Sequence, residues 1–229
     1  MIEIALRGEL WDNDSAAVLR YCGWRDITCP EDIRAALEKA DGDDVTLLIN
    51  SYGGDMSVGL EIRSVLRRYP GKTTALYQGF GASAATLAAS GCRRIESEPG
   101  ALLCYHNPSS VTEGDYQDMA QAAEGLKNAR DCALEVYTAR SGAKSREELI
   151  ELMDKNIWIT PSQAREYGLI DAIVGDGEEE NADPAAFVAS SRRIRLTDAM
   201  RRQYGQHIAD VKKAEANRIL ARARAFNEY

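Results

Sequence analysis

Histidine is scarce in this chain: 229 residues contain two, His106 and His207. Any chemistry that needs an imidazole must use one of them, and a clustered His/Cys metal site is not expected. No cofactor is expected either. Long apolar runs are also missing. Without a stretch of eighteen apolar residues there is no candidate transmembrane helix, and no membrane partner is expected. The first ten residues, MIEIALRGEL, carry Glu3 and lack the apolar segment of a signal peptide, so a cytoplasmic setting is expected. The five cysteines (22, 29, 92, 104 and 132) form no CxxC pair. An odd number without an export signal reads as reduced structural thiols.

What is present suffices for one substantial α/β core, with 45% hydrophobic residues recurring to about position 174. The net charge of −8 is uneven. Residues 186–229 hold ten Lys/Arg against four Asp/Glu, a net +6, which leaves −14 for the rest. The core is therefore not expected to bind nucleic acid. The pattern divides the chain into a core over 1–174, an acidic linker over 175–185 (GDGEEENADP and the residue after it) and a basic helical tail over 186–229. The tail carries no aromatic stacking array, so docking on the core or on a partner is favoured over a nucleic-acid contact.

Within the core, strands are predicted over 2–6, 44–50, 72–78, 101–106 and 170–174. Gly8 and a polar loop should follow the first strand. Helices are predicted over 32–40 (with a Thr28–Glu31 capping signal), from Met56 to Tyr69, over 81–90, 113–140 and 145–155, and from Pro161 to a stop at Gly168. Strands alternating with helices argue for parallel βαβ units.

Two glycine-bearing segments, SYGG (51–54) and GFGAS (79–83), each follow a predicted strand and should face the carboxyl edge of the sheet, where ligands collect. Ser83 falls at a helix start followed by Ala84, Ala85 and Thr86. There it could attack a carbonyl while backbone N–H groups receive the oxyanion. Serine needs a base, and His106, ending a strand 23 residues later, reaches the same edge. None of these features identifies a site alone; their order and spacing do.

The segments LLINSYGGDMSVGLEIRSVLRRY, GFGASAATLAASG, CYHNP and ITPSQAREYGLIDAIV resemble, in order, four segments of the Clp protease proteolytic subunit, and the resemblance runs over residues 2–174. Trp158 makes the chain similar to the prophage head maturation proteases of that family. The resemblance implies a ClpP/crotonase-type repeated ββα spiral core with a protruding handle helix (residues 111–140) and here a helical C-terminal tail. It implies a serine endopeptidase, ATP-independent or weakly coupled to an ATPase, with Ser83 as nucleophile, His106 as general base, and the amides of Gly54 and Ala84 as the oxyanion hole. It also implies a homo-oligomer, a heptameric ring or two stacked rings, acting on peptide or protein substrates. Phage capsid or scaffold proteins are candidate partners, and a procapsid is an alternative location.

Three departures qualify this. Asn156 stands where the family has aspartate, so the third triad member is Asn156, or Asp154 two residues earlier. Asparagine can orient an imidazole but offers no charge, and lower activity or a pseudoenzyme would follow. The chain begins almost at the first strand, so ordinary engagement of a Clp ATPase is not expected. Tyr52 replaces the proline of the family's turn and adds an aromatic near the cleft. Two other functions stay open: a non-catalytic assembly protein, and a crotonase-type enzyme, for which no glutamate is placed as base.

Overall fold

A computed structural model describes residues 2–140, 142–175 and 196–226. In chain order the elements are β1 (Ile2–Leu10), α1 (Asn13–Tyr21), β2 (Ile27–Thr28), α2 (Pro30–Ala40), β3 (Val45–Gly54), α3 (Met56–Arg68), β4 (Thr73–Ala82), α4 (Ala84–Ala89), β5 (Arg94–Ser97), β6 (Leu102–Cys104), α5 (Tyr116–Thr138), α6 (Arg146–Lys155), α7 (Pro161–Glu166), β7 (Ala172–Ile173) and α8 (Asp198–Phe226). They fall into two compact units. One holds the described residues of 1–12 and 26–193, the other those of 13–25 and 194–229.

The larger unit is built on a parallel sheet of order β2-β1-β3-β4-β5-β7, with β6 pairing β4. Its centre is apolar because β1, β3 and β4 carry β-formers at paired positions: Ile4 beside Leu47, Leu6 beside Ile49, and Ile49 beside Tyr77, all buried. Helices cover it with apolar stripes at helical spacing. In α2 these are Ile33, Leu37 and Ala40, and in α3 Val58, Ile62 and Leu66. Fully burying one such Leu or Ile contributes about 1.5–3 kcal/mol. All six residues of α4 are buried, and Gly59 of α3 lies so close that an added Cβ would meet the Ala84 carbonyl oxygen at 2.4 Å.

Both central strands run further than their sequence suggests. SYGG and GFGA are not turns but the ends of β3 and β4, carried on through register shifts. The β3–β4 pairing slips between Ile49 and Ser51, where Asn50 Oδ1 accepts a hydrogen bond from Phe80 N at 3.0 Å. This bend lets β4 serve two strands. Thr74–Tyr77 pairs β5, and Phe80–Ala82 pairs β6.

Other expectations shift. β1 extends to Leu10 across a bulge at Gly8. The cap of α2 is Cys29, not Thr28: the Asp32 carboxylate accepts from Cys29 N at 2.8 Å, while the Thr28 hydroxyl bonds Arg7 N and O and so belongs to the sheet. β2, β5 and α1 were not legible, two of them because two to four residues carry no period. β6 stops at Cys104, which leaves His106 in the following loop. The strand over 170–174 contracts to Ala172–Ile173. In α5 the buried residues are Ala133, Leu134, Val136 and Tyr137 near its end, and Tyr116 and Met119 near its start are exposed, as a projecting handle requires.

In the smaller unit α1 packs with α8. The Tyr21 ring stacks on exposed His207 at 4.5 Å between centroids and tilts against Tyr204 at 5.6 Å. The acidic linker expected over 175–185, Gly175 excepted, lies outside the described residues, as do 186–195 of the tail. All five cysteines are free, and no helix among the described residues is long and apolar enough to cross a membrane.

Candidate active site

Ser83 joins β4 to α4 with φ 55 and ψ −129, a conformation that L-residues avoid. Neighbouring bonds hold it there. Its N–H donates to the Cys104 carbonyl at 3.0 Å, and its own carbonyl accepts from Thr86 N at 2.9 Å and Thr86 Oγ1 at 2.6 Å. Thr86 Oγ1 also bonds the buried Tyr137 hydroxyl at 2.7 Å, which ties α4 to α5. A strained backbone at a strand-to-helix junction is the setting in which a serine can be presented at the top of an α/β sheet. The helix is shorter than its sequence pattern, Ala84–Ala89 rather than 81–90, so the strained turn and not a long helix dipole distinguishes the position.

The parallel pairing sets Ala82 opposite Cys104. Ser83 and His106 therefore follow one and two residues beyond the same rung of strands about 4.8 Å apart. Both are half-buried. His106 Nδ1 lies 2.7 Å from the Asn107 carbonyl oxygen. A carbonyl only accepts, so Nδ1 carries the proton, and in the neutral ring the lone pair is then on Nε2, the form a general base needs.

The glycines beside Ser83 divide their work. Gly54 (φ 152) packs on β1, where an added Cβ would meet Leu10 O at 2.3 Å. Gly53 (φ 90) is the one that abuts the serine: its Cβ would stand 2.6 Å from Ser83 Cβ and 2.8 Å from Ala84 N. The segment is pinned by Ser51, whose buried hydroxyl donates to Gly8 O at 2.5 Å and accepts from Gly53 N at 3.0 Å. Ala84 is buried directly after Ser83.

Asn156 is exposed and caps the C-terminus of α6 in the left-handed region (φ 48, ψ 49), which asparagine tolerates well. Its Oδ1 accepts from the Cys104 thiol at the long distance of 4.0 Å. Burial pushes that thiol up to about 11. Asp154 Oδ1 accepts from Asn107 Nδ2 at 2.7 Å. A cleft of about 350 Å³ brings these groups together, lined by Tyr52, Ala82, Cys104, His106, Asn107, Pro108, Ser109, Met153, Asp154, Asn156 and Trp158; Ser83, Gly54 and Ala84 are not among its lining residues, and Ser83 follows directly on Ala82 at its edge. One wall is aromatic: Tyr52 stacks on Phe80 at 4.6 Å, and Trp158 meets Phe80 at 5.4 Å and Tyr52 at 6.0 Å. The other wall is polar.

Gly53, Asn107 and Phe80 escaped the sequence reading. The signals were adjacency alone: a second glycine in SYGG, and an asparagine held between His106 and Pro108. Among the described residues no group of three or more His, Cys, Asp or Glu is placed to hold a metal ion.

A serine strained at a strand–helix junction, with an imidazole on the adjoining strand's continuation, is the arrangement of an acyl-transfer hydrolase on a parallel α/β sheet. The comparisons narrow the class. The family model for Clp protease matches residues 32–177. The chain is 31% identical over 185 residues to the ATP-dependent Clp protease proteolytic subunit 1 of Streptomyces avermitilis, covering 80% of this chain and 79% of that one. It is 32% identical to subunit 3 of Rhodococcus jostii (59% and 68% covered) and 29% identical to subunit 3 of Streptomyces coelicolor (70% and 71%). The chain belongs to the Clp protease family, and it is a serine-type endopeptidase of that family.

Proposed function

We propose that this chain hydrolyses peptide bonds in protein substrates through an acyl-enzyme on Ser83. His106 Nε2 takes the hydroxyl proton as Oγ attacks the carbonyl carbon, and the amides of Gly54 and Ala84 receive the oxyanion. His106 then protonates the leaving amine, and water, deprotonated by the same imidazole, releases the acyl group. The third member is Asp154 or Asn156. The observation that carries this reading is the strained Ser83 backbone bonded to Cys104 O, two residues before His106.

The reading extends to assembly and biology. The exposed start of α5 supports a homo-oligomeric ring, heptameric or doubled, and Trp158 supports a phage or prophage head maturation enzyme acting on capsid or scaffold proteins, in the cytoplasm or a procapsid, without tight coupling to an ATPase. The core over 1–174 is then the catalytic domain, 175–185 a linker, and the basic tail over 186–229 a docking appendage.

A fluorophosphonate probe tests the chemistry. Adduct formation at Ser83, abolished by Ser83→Ala in a folded chain, is expected. An adduct at another residue that persists in Ser83→Ala overturns the assignment.

A further inference from the structure

Two hydrogen bonds of equal length meet at Asn107. Its backbone carbonyl accepts from His106 Nδ1, and its side-chain Nδ2 donates to Asp154 Oδ1, each at 2.7 Å. The first bond sets the tautomer of the imidazole. The second ties the loop after β6 to α6, 47 residues further along the chain.

Local chemistry restricts Asn107 further. Pro108 follows it, and a residue before proline is pushed to extended backbone, which limits where its carbonyl can point. The Asn107 side chain cannot turn over either. Its Oδ1 is buried with no hydrogen-bond partner, a cost that the bond to Asp154 must outweigh. Flipping the amide would set Oδ1 against the carboxylate and lose that bond. Asp154 therefore dictates the rotamer, and the rotamer holds the residue whose carbonyl orients the imidazole.

We infer that Asn107 is a positioning residue through which Asp154 acts on His106: the carboxylate holds the Asn107 amide, and the Asn107 carbonyl holds Nδ1–H. The inference rests on the proposed role of His106 as base to Ser83. It divides the usual third member of a triad in two. The acceptor that touches the imidazole is a backbone carbonyl, and the carboxylate stands one residue behind it. Isosteric loss of charge at 154 should then cost less than loss of the whole side chain, because an asparagine oxygen can still accept from Nδ2.

Histidine-selective ¹⁵N labelling reads this directly, since the chain has two imidazoles and His207→Gln identifies the other. Wild type should show His106 protonated on Nδ1. Asn107→Ala and Asp154→Ala should each mix the tautomers, and Asp154→Asn should keep the wild-type form. In parallel, kcat per probe-labelled Ser83 should fall about 10²-fold in the two alanine variants, the cost of a catalytic group displaced by about 1 Å. KM should change little, and Asp154→Asn should lose less of the rate than Asp154→Ala. A His106 tautomer indifferent to both alanine substitutions, or Asp154→Asn behaving as Asp154→Ala, overturns the inference. The two claims fail separately. If Ser83 takes no probe while the tautomer responds as stated, the peptidase assignment falls and the coupling stands; if Ser83 labels while the tautomer ignores both alanine variants, the coupling falls and the peptidase stands.

Discussion

Gly53→Ala perturbs the site with a single methyl. The new Cβ would lie 2.6 Å from both Ser83 Cβ and Ala82 O and 2.8 Å from Ala84 N, roughly 1 Å inside ordinary carbon contacts. Its backbone would also be asked to hold φ 90. Gly42 separates the two costs, because it has φ 91 and its nearest neighbour to an added Cβ is Pro70 Cγ at 3.8 Å. Gly42→Ala should thus show the conformational penalty of about 1–2 kcal/mol, partly offset by a stiffer unfolded chain. Gly53→Ala adds overpacking of about 1–3 kcal/mol. For a chain of this size each kcal/mol lowers Tm by about 2–4 °C, so Gly53→Ala should melt several degrees below Gly42→Ala. The neighbours that must yield are Ser83 and Ala84, so probe labelling of the folded variant should slow by about 10²-fold. Gly42→Ala should label as wild type. Equal Tm in the two variants, together with undiminished labelling of Gly53→Ala, would refute the placement of Gly53 against Ser83.

Trp158, 8% exposed against Phe80 and Tyr52, should cost about 3–5 kcal/mol when cut to alanine, measured by thermal melt, and opening the aromatic wall should broaden cleavage of peptides that differ in apolar side chains. Burial raises the Cys104 thiol to about 11 and that of Cys92 to about 12, from an ordinary value near 9. A folded value above the unfolded one means that the unfolded chain releases these protons first. The stability they contribute is therefore whole below pH 9 and lost between about pH 9 and 12, visible as a falling urea midpoint. At neutral pH iodoacetamide should modify exposed Cys132 well before either of them.

Local pattern sufficed for the framework. Strong apolar runs such as VTLLIN and periodic helices such as α2 and α3 keep their character in the folded chain because burial and propensity agree there. That Ser83 and His106 each follow a strand ending at the same edge was legible too, since parallel strands deliver their ends to one edge. The endings were not. Whether SYGG is a turn or a bulged strand depends on a partner, and β4 supplies it through Asn50 and Phe80. A two-residue strand such as β2 has no period of its own and exists only because β1 lies beside it.

By itself, the order of residues determined the α/β class, the family and the two side chains proposed to carry the chemistry, because these rest on spacing along one chain. Only the folded chain decided that Gly53 rather than Gly54 leaves room beside the serine, that Asn156 caps a helix, and that Asp154 meets Asn107. Each of these is a meeting of segments from different elements, 47 residues apart in the last case. Distance in sequence carries no information about which oxygen will face which hydrogen; packing does.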